Sequence, residues 1–305
     1  MKYKTYIIIV TYNGMKWLPA CLESTKPYSV IIVDNNSNDE TKEFIKTSFP
    51  EIILLRQNKN LGFGKANNIG ISHALNLGAD YVFLLNQDAY VKDGAIKHLI
   101  HLHINNSDFG LVSPIHLSKN SDSVEKVFEY YLKKADNQLI ADLLIHRDKK
   151  EIYSVQMVNA AAWLIPKNTL EIVGGFHPMF FLYGEDDNYC QRVLYHGLKI
   201  GICPGAFIIH DSCDEYHKSP EIGSVKYYEK FMNQIRIQYA NVNSEQYKKL
   251  NILKKSYLVL LFKALLKLDF KTWNIYLKKR KMLQDLDFSK DIIEGRQKKR
   301  HYLNS

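Results

Sequence analysis

TYIIIVTYNG occupies residues 5–14 and joins a run of apolar, mostly β-branched residues directly to a polar turn. Similar runs follow near residues 30, 52 and 81, and a helical pattern lies between each pair. Short β-branched runs that alternate with helical patterns are typical of a parallel sheet with crossover helices. We therefore predict an α/β protein with strands at 5–11, 30–34, 52–57 and 81–86, and helices at 17–24, 40–49 and 65–77.

A polar cluster follows each of these predicted strands. The clusters occupy residues 11–13, 34–36, 58–64 and 86–88. In an open parallel α/β sheet, ligands bind outside the carboxyl ends of the strands. We therefore expect all four clusters to face one crevice.

The pattern weakens between residues 105 and 151 and then recovers. We predict a strand at 109–114, an apolar run at 158–165, a helix at 186–196 that ends before Gly197, and strands at 199–203 and 207–210. No element is assigned to the segment between residues 115 and 150.

The charge of the chain is unevenly distributed. Of its 305 residues, 46% are hydrophobic and 12% aromatic, which is typical of a globular protein, and the formal charge is +9. Residues 245–305 carry sixteen Lys and Arg against six Asp and Glu, so the rest of the chain is close to neutral. We therefore expect no nucleic-acid partner.

The cysteines and the apolar N-terminal run predict the compartment. The four cysteines, at positions 21, 190, 203 and 213, form no C-x-x-C pair, which predicts neither a zinc knuckle nor a disulfide framework. The apolar run at residues 6–10 is too short for a signal-peptide core or a membrane span. We expect a cytoplasmic protein, with a place at the inner face of the cell membrane as one option.

Five segments resemble, in this order and spacing, those of family 2 inverting glycosyltransferases, and in particular rhamnosyltransferase-like members. They are IVTYN at 9–13, VDNNS at 33–37, NLGFG with NNIG between 60 and 70, LNQD at 85–88, and GEDDNYCQR at 184–192. The resemblance implies a GT-A fold, with a mostly parallel nucleotide-binding sheet flanked by helices. It implies a domain at 1–240, with a nucleotide-sugar half at 1–115 and an acceptor half at 150–215. The charge and the apolar spacing of the tail predict a basic helical C-terminal region at 241–305.

The early segments of this resemblance imply a donor site. The residues assigned to it are Thr11, Tyr12, Asn13, Asp34, Asn36, Gly62, Phe63, Lys65, Asn67, Asn86 and Gln87. A uracil or thymine ring needs an acceptor and a donor in one plane, which Asp34 and the backbone beside Thr11 can supply. The alternatives are a turn or helix cap for Asp34 and a solvated helix start for Lys65.

The segment Asn86-Gln87-Asp88 stands where the family carries its D-x-D motif. An amide replaces the first carboxylate, so Asp88 is the firm ligand for Mg²⁺ or Mn²⁺. His210 resembles the late histidine that completes this metal site in related enzymes, and a surface histidine is the alternative.

Glu185 and Asp186 match the family's E-D-x-D segment, and the resemblance implies Asp186 as the catalytic base, with Glu185 beside it. The base takes the proton from the acceptor hydroxyl as that oxygen attacks the anomeric carbon, so a single displacement inverts the configuration. The family's second Asp is Asn188 here. A helix cap is the alternative role for the acids, and core packing is the alternative to sugar stacking for Trp163.

The resemblance implies a hexosyltransferase that uses a UDP- or dTDP-sugar, with dTDP-rhamnose as one candidate. The acceptor would be a hydroxyl of a glycan or a lipid-linked oligosaccharide in the synthesis of a cell-surface polysaccharide such as capsule or O-antigen. The alternative is a non-catalytic nucleotide-sugar-binding protein or a membrane-recruited scaffold. Asp186 argues against it, since donor binding needs no carboxylate on the acceptor side.

The basic tail carries an apolar stripe at helical spacing, which predicts an amphipathic helix. The stripe comprises Leu253, Tyr257, Leu260, Leu261, Ala264, Leu265 and Leu268, with lysines around it. Such a helix is suited to lie on an anionic membrane surface. The alternative is that the stripe packs on the body of the protein or on a second subunit of a homo-oligomer.

Overall fold

The structure is a computed structural model that describes residues 3–135, 138–212 and 219–303. The chain forms two compact units, one of residues 1–213 with 298–305 and the other of residues 214–297. The predicted boundary after residue 240 therefore falls inside the second unit. Cys21, Cys190 and Cys203 are buried free thiols, and Cys213 lies outside the described residues.

The first unit is a sheet with helices on its faces. Its strands are β1 (Thr5–Thr11), β2 (Ser29–Asp34), β3 (Ile53–Arg56), β4 (Tyr81–Asn86), β5 (Ala89–Val91), β6 (Phe109–Leu117), β7 (Tyr153–Val155), β8 (Ala162–Pro166) and β9 (Lys199–His210). Its helices are α1 (Leu18–Ser24), α2 (Thr41–Ser48), α3 (Phe63–Asn76), α4 (Ala95–Asn105), α5 (Lys126–Lys134), α6 (Leu139–Leu144), α7 (Lys167–Val173) and α8 (Glu185–Tyr195).

The strand order is β3-β2-β1-β4-β8-β6-β9-β5, with β7 also paired to β9. β1 to β4 are parallel, as the sequence predicts. The sheet becomes mixed beyond β4, because β8 runs antiparallel to both β4 and β6. The fold is therefore α/β, with its parallel part on the side formed by the N-terminal strands.

The apolar run of β1 is continuous because both faces of the sheet are covered. Ile8 packs in the cluster on one face, whereas Ile7 and Ile9 pack in the cluster on the other. Trp163 is fully buried on the first of these faces and stacks on Phe176 with an interplanar angle of 16°. Trp163 is therefore a core residue and does not stack on a sugar.

A single strand, β9, replaces the two strands predicted at 199–203 and 207–210. Its pairing with β6 shifts register between Pro114 and Ile115, where the partner residue changes from Cys203 to Phe207. The intervening Pro204-Gly205-Ala206 forms an irregularity inside the strand, which is where proline and glycine are tolerated in sheets.

The C-terminal end of the chain belongs to the first unit. The backbone amide of Gly175 donates to the carbonyl of His301 at 2.8 Å, and that of Lys299 donates to Ile172 at 3.0 Å. Leu303 is buried in the same core cluster as Trp163. These residues complete the core of the first unit.

The second unit contains α9 (Val225–Tyr239), α10 (Leu250–Leu266), α11 (Phe270–Leu283) and α12 (Ser289–Gly295). On α10, Tyr257 and Ala264 of the predicted stripe are buried, so this part of the stripe packs inside the protein. The opposite side of α10 is also apolar, but exposed. No helix among the described residues is both long and apolar enough to cross a membrane.

Candidate active site

The four polar clusters predicted from the sequence lie at one edge of the sheet. Thr11 pairs with Asp34 across β1 and β2, and Val10 pairs with Asn86 across β1 and β4. The amide of Leu61 donates to the side-chain oxygen of Asn35 at 3.0 Å, which ties the cluster at 58–64 to the end of β2. The four clusters therefore lie at the same edge of the sheet, and a crevice at that edge stays a prediction.

Gln87 connects the ends of β1 and β4. Its side-chain oxygen accepts from the Thr11 hydroxyl at 2.8 Å and from the backbone amide of Tyr12 at 3.0 Å. Gln87 therefore positions the Thr11–Tyr12 backbone, which is one of the predicted contacts of the donor base.

Asp34 closes the turn after β2. Its carboxylate oxygens accept from the amide of Ser37 at 3.2 and 3.3 Å, and the residue is only 1% exposed. The turn role is therefore present in the structure. Asn13 and Asn36 lie in the left-handed region, with φ of 49° and 70°, where asparagine is one of the few residues tolerated.

The loop before α3 is fixed against the segment that precedes α8. Gly62 has a φ of +82°, and the amide of Phe63 donates to the carbonyl of Phe181 at 3.0 Å. The Asn67 side chain donates to the Phe63 carbonyl at 3.1 Å. Lys65 is exposed and lines a cavity of about 590 Å³ beside α3, a lining that does not include Asp88.

Asp88 and His210 lie together, as the resemblance implies. The Asp88 carboxylate is 3.5 Å from Nε2 of His210, and the Asn86 amide nitrogen is also 3.5 Å from Nε2. Burial lowers the pKa of His210, but the neighbouring carboxylates, chiefly Asp88, outweigh that effect and raise it. The buried Nδ1 of His210 and Oδ1 of Asn86 have no hydrogen-bond partner among the described residues. These residues therefore fit a divalent cation, which takes oxygen and imidazole ligands.

Two further possible metal ligands, His116 and Glu125, lie next to His210, and neither was predicted from the sequence. His116, Glu125 and His210 each offer a donor atom within 4.8 Å of the others. The only available signal was a histidine near the end of a predicted strand, because His116 follows the segment 109–114.

The helix α8 carries three carboxylates in its first turn. Burial raises the pKa of Glu185 to about 8 and that of Asp187 to about 7, and it also raises the pKa of Asp186. Glu185 is 4% exposed, whereas Asp186 and Asp187 are half-buried. The N-cap residue of α8 is Gly184, so none of the three carboxylates caps the helix. Asp186 accepts from the amide of Asp187 at 2.9 Å within the first turn, where acids are favoured by the helix dipole.

The helix α5 lies beside both the metal residues and the carboxylates. Glu125 caps its N-terminus. Tyr131 lies six residues after Glu125, about 9 Å along the helix axis. Burial raises the pKa of its phenol, and the charges of Asp186 and Asp187 add to that effect. Asp186 and Asp187 therefore lie near α5, whose cap Glu125 lies within 4.8 Å of His210.

Asn188 has a structural partner. Its side-chain oxygen accepts from Nε of the buried Arg192 at 3.1 Å. Arg192 also donates to the carbonyls of Val173, at 2.6 Å, and Gly175. Asn188, which stands where the family has an acid, therefore helps to hold Arg192 against the Gly174–Gly175 turn.

An exposed apolar segment precedes α8, and sequence reasoning missed it too. Phe181, Leu182 and Tyr183 are 56%, 44% and 56% exposed. Three consecutive large apolar residues in a predicted loop were the signal from which this exposed segment could have been predicted.

We expect Glu185→Gln to change how stability depends on pH. A buried acid whose folded pKa is about 8, against an ordinary value of 4.5, stabilises the fold at low pH and loses that effect as pH rises through this window. The unfolding midpoint of Glu185→Gln should therefore rise relative to the parent protein between about pH 5 and 8, by at least about 3 °C. Thermal unfolding across that range measures the difference.

The exposed Glu171 on α7 provides the control, as Glu171→Gln. A constant difference between Glu185→Gln and the parent protein across this range would mean that Glu185 does not titrate there.

The chain is similar to known sugar-transferring proteins. The family model described as glycosyl transferase family 2 matches residues 6–157. The dTDP-rhamnosyl transferase RfbF of Shigella flexneri is 24% identical over 213 residues, which cover 69% of this chain and 70% of RfbF. The O-antigen chain rhamnosyltransferase RfbN of Salmonella typhimurium is 27% identical over 219 residues, which cover 68% of this chain and 66% of RfbN.

Two solved structures share the fold. A structure of GalNAc-T7 with UDP, GalNAc and Mn²⁺ matches with a TM-score of 0.60 and 17% identity over 77% of this chain. S. aureus TarS matches with a TM-score of 0.51 and 16% identity over 83% of this chain. The chain spans 48% and 42% of these two proteins, respectively.

Proposed function

Because the chain belongs to glycosyltransferase family 2 and has the GT-A fold, we propose that it transfers one sugar from a UDP- or dTDP-sugar to a hydroxyl of a glycan or lipid-linked acceptor. One observation carries this proposal. The cap of α5, Glu125, lies within 4.8 Å of His210, which is 3.5 Å from Asp88, and the charges of Asp186 and Asp187 act on Tyr131 of the same helix.

The donor in this proposal is a UDP- or dTDP-sugar, with dTDP-rhamnose as the first candidate. Support comes from the names of RfbF and RfbN, which describe rhamnosyl transfer. The pathway would be the synthesis of a cell-surface polysaccharide.

In the proposed reaction, Asp88 and His210 hold a divalent cation. Bound there, the cation would neutralise charge on the leaving diphosphate. Asp186 accepts the proton of the acceptor hydroxyl while that oxygen attacks the anomeric carbon, and the bond from that carbon to the diphosphate breaks. One displacement inverts the configuration.

Thermal unfolding with UDP-, dTDP-, GDP- and CMP-sugars, each with and without Mn²⁺, tests the donor class. A ligand at about 100 times its dissociation constant stabilises by about 2.7 kcal/mol. We expect this effect with a UDP- or dTDP-sugar, and a larger one with Mn²⁺. Stabilisation by GDP- or CMP-sugars alone, or by none of the four, would contradict the proposal.

The second unit supplies a membrane-binding surface in this proposal, which places the enzyme at the inner face of the cell membrane. The outer face of α10 exposes Ile252, Val259, Phe262 and Leu266, each between 54% and 69%. Lys255, Lys263 and Lys267 on the same helix are also exposed. An apolar face with cations around it is suited to anionic lipid, where each nearby cation contributes about 1 kcal/mol.

We expect the double substitution Val259→Ser with Phe262→Ser to reduce binding to anionic liposomes at least tenfold, because it removes the centre of the apolar face. Co-sedimentation measures the binding. Truncation is unsuitable, since removing everything after residue 243 would also delete Leu303 from the core of the first unit.

Ile293→Ser provides the control, because Ile293 is 60% exposed on α12 of the same unit. Unchanged liposome binding in the double variant would rule out this face as the membrane contact. A change from oligomer to monomer, with no change in lipid binding, would instead assign the face to a second copy of the chain.

A further inference from the structure

His116 and Glu125 are brought together by the segment for which the sequence predicts no element. His116 lies at the carboxyl end of β6, and the amide of Glu125 donates to the His116 carbonyl at 2.9 Å. Both side chains are buried, at 0% and 3% exposure. Neither belongs to the motifs through which the chain resembles its family.

The burial of Glu125 needs an explanation. Its carboxylate accepts from the amide of Phe128 at 2.8 Å and from the hydroxyl of Ser212 at 3.2 Å. No lysine or arginine in the described part of the chain pairs with it. A buried carboxylate whose hydrogen-bond donors are both neutral is costly, and a bound metal ion is one way to compensate it.

The donor atoms lie close to the spacing expected around one metal ion. Two ligands at about 2.1 Å from an octahedral ion lie about 3 to 4.3 Å apart. The donor atoms of His116, Glu125 and His210 lie within 4.8 Å of one another, and Asp88 lies 3.5 Å from His210. The buried Oδ1 of Asn86 has no hydrogen-bond partner among the described residues, which also indicates that a group is missing here.

We propose that Glu125 and His116 are further ligands of the divalent cation assigned to Asp88 and His210, and that Glu125 supplies the carboxylate that Asn86 lacks. This inference rests on the proposed function, because it deepens the metal site used there. The motif at residues 86–88 has Asn86 where the family has its first carboxylate, and Glu125 at the N-terminus of α5 would take the place of that carboxylate.

The types of ligand also determine whether the site favours Mn²⁺ or Mg²⁺. Imidazole nitrogen suits transition metals, whereas Mg²⁺ prefers oxygen ligands and retains its water. Two histidines with two carboxylates therefore favour Mn²⁺ over Mg²⁺. Excess Mg²⁺ should displace bound Mn²⁺ poorly.

Titration of the full chain with Mn²⁺ in the absence of any nucleotide sugar tests the inference, with the electron paramagnetic resonance signal of free Mn²⁺ as the readout. We expect Glu125→Gln to weaken Mn²⁺ binding at least tenfold. Glu129→Gln, one turn further along α5 with its side chain 45% exposed, should bind Mn²⁺ like the parent protein.

The metal-free unfolding midpoint provides the folding control. The glutamine at position 125 can still accept from Phe128, so this midpoint should be unchanged or higher. If Glu125→Gln does not fold, His116→Gln replaces it, and a tenfold loss of Mn²⁺ affinity is again expected.

Asp88→Ala separates this inference from the proposed function. Parent-like Mn²⁺ affinity in Glu125→Gln, together with its loss in Asp88→Ala, would overturn the role of Glu125 and leave the proposed function standing. Parent-like affinity in Asp88→Ala would instead show that the metal site of the proposed function is misplaced.

Discussion

Asp186→Asn will keep the fold and donor binding but lower the rate of transfer by about 10²- to 10⁴-fold, the usual contribution of a positioned general base. The amide preserves the shape of the carboxylate and can still accept the hydrogen bond from the Asp187 amide. It cannot take a proton. The turnover rate at saturating donor measures the loss, and thermal stabilisation by the donor shows that binding persists.

Asp187→Asn is the matched control, because Asp187 is the adjacent half-buried carboxylate on α8. Its effect should be much smaller. A near-parental rate in Asp186→Asn, with a large loss in Asp187→Asn or Glu185→Gln, would transfer the role of base to that neighbour. Since burial raises the pKa of Asp186, the rate of the parent protein should increase as pH rises and the base loses its proton.

Asp88→Ala will remove the Mn²⁺-dependent part of donor binding. Asp88 is the only carboxylate of its motif, because Asn86 and Gln87 carry amides. His210→Ala should weaken the same binding less, since an imidazole contributes no negative charge to the site. The measurement is stabilisation by a UDP- or dTDP-sugar with and without Mn²⁺. Donor binding that is unchanged in Asp88→Ala and still responds to Mn²⁺ would show that the cation lies elsewhere.

The sequence predicts the parallel part of the sheet closely. β1 and β4 begin and end at the predicted residues, and β2 and β3 lie within one residue of the predicted bounds. β1, β2 and β4 are buried on both faces, so the run of apolar β-branched residues marks their full length, whereas the edge strand β3 is only partly buried. Since these strands are parallel and in register, the polar clusters that follow them are predicted to lie at the same edge of the sheet.

Non-local pairing defines the parts that the sequence does not predict. Pro204 and Gly205 indicate a break between two strands, but pairing with β6 carries β9 through them. The sequence around Glu125 contains no sign of a metal ligand, because only the position of α5 in the fold brings Glu125 close to His210. α10 is apolar on both sides, so its sequence pattern alone does not distinguish the packed face from the exposed one.

The configuration of the product tests the central proposal most directly. The donor that stabilises the protein is incubated with Mn²⁺ and a lipid-linked oligosaccharide acceptor, and NMR determines the anomeric configuration of the new linkage. We expect release of one nucleoside diphosphate per sugar transferred, a product whose anomeric configuration is opposite to that of the donor, and almost no product with Asp186→Asn. A product with the donor's own configuration, or equal product from Asp186→Asn, would contradict single displacement with Asp186 as the base.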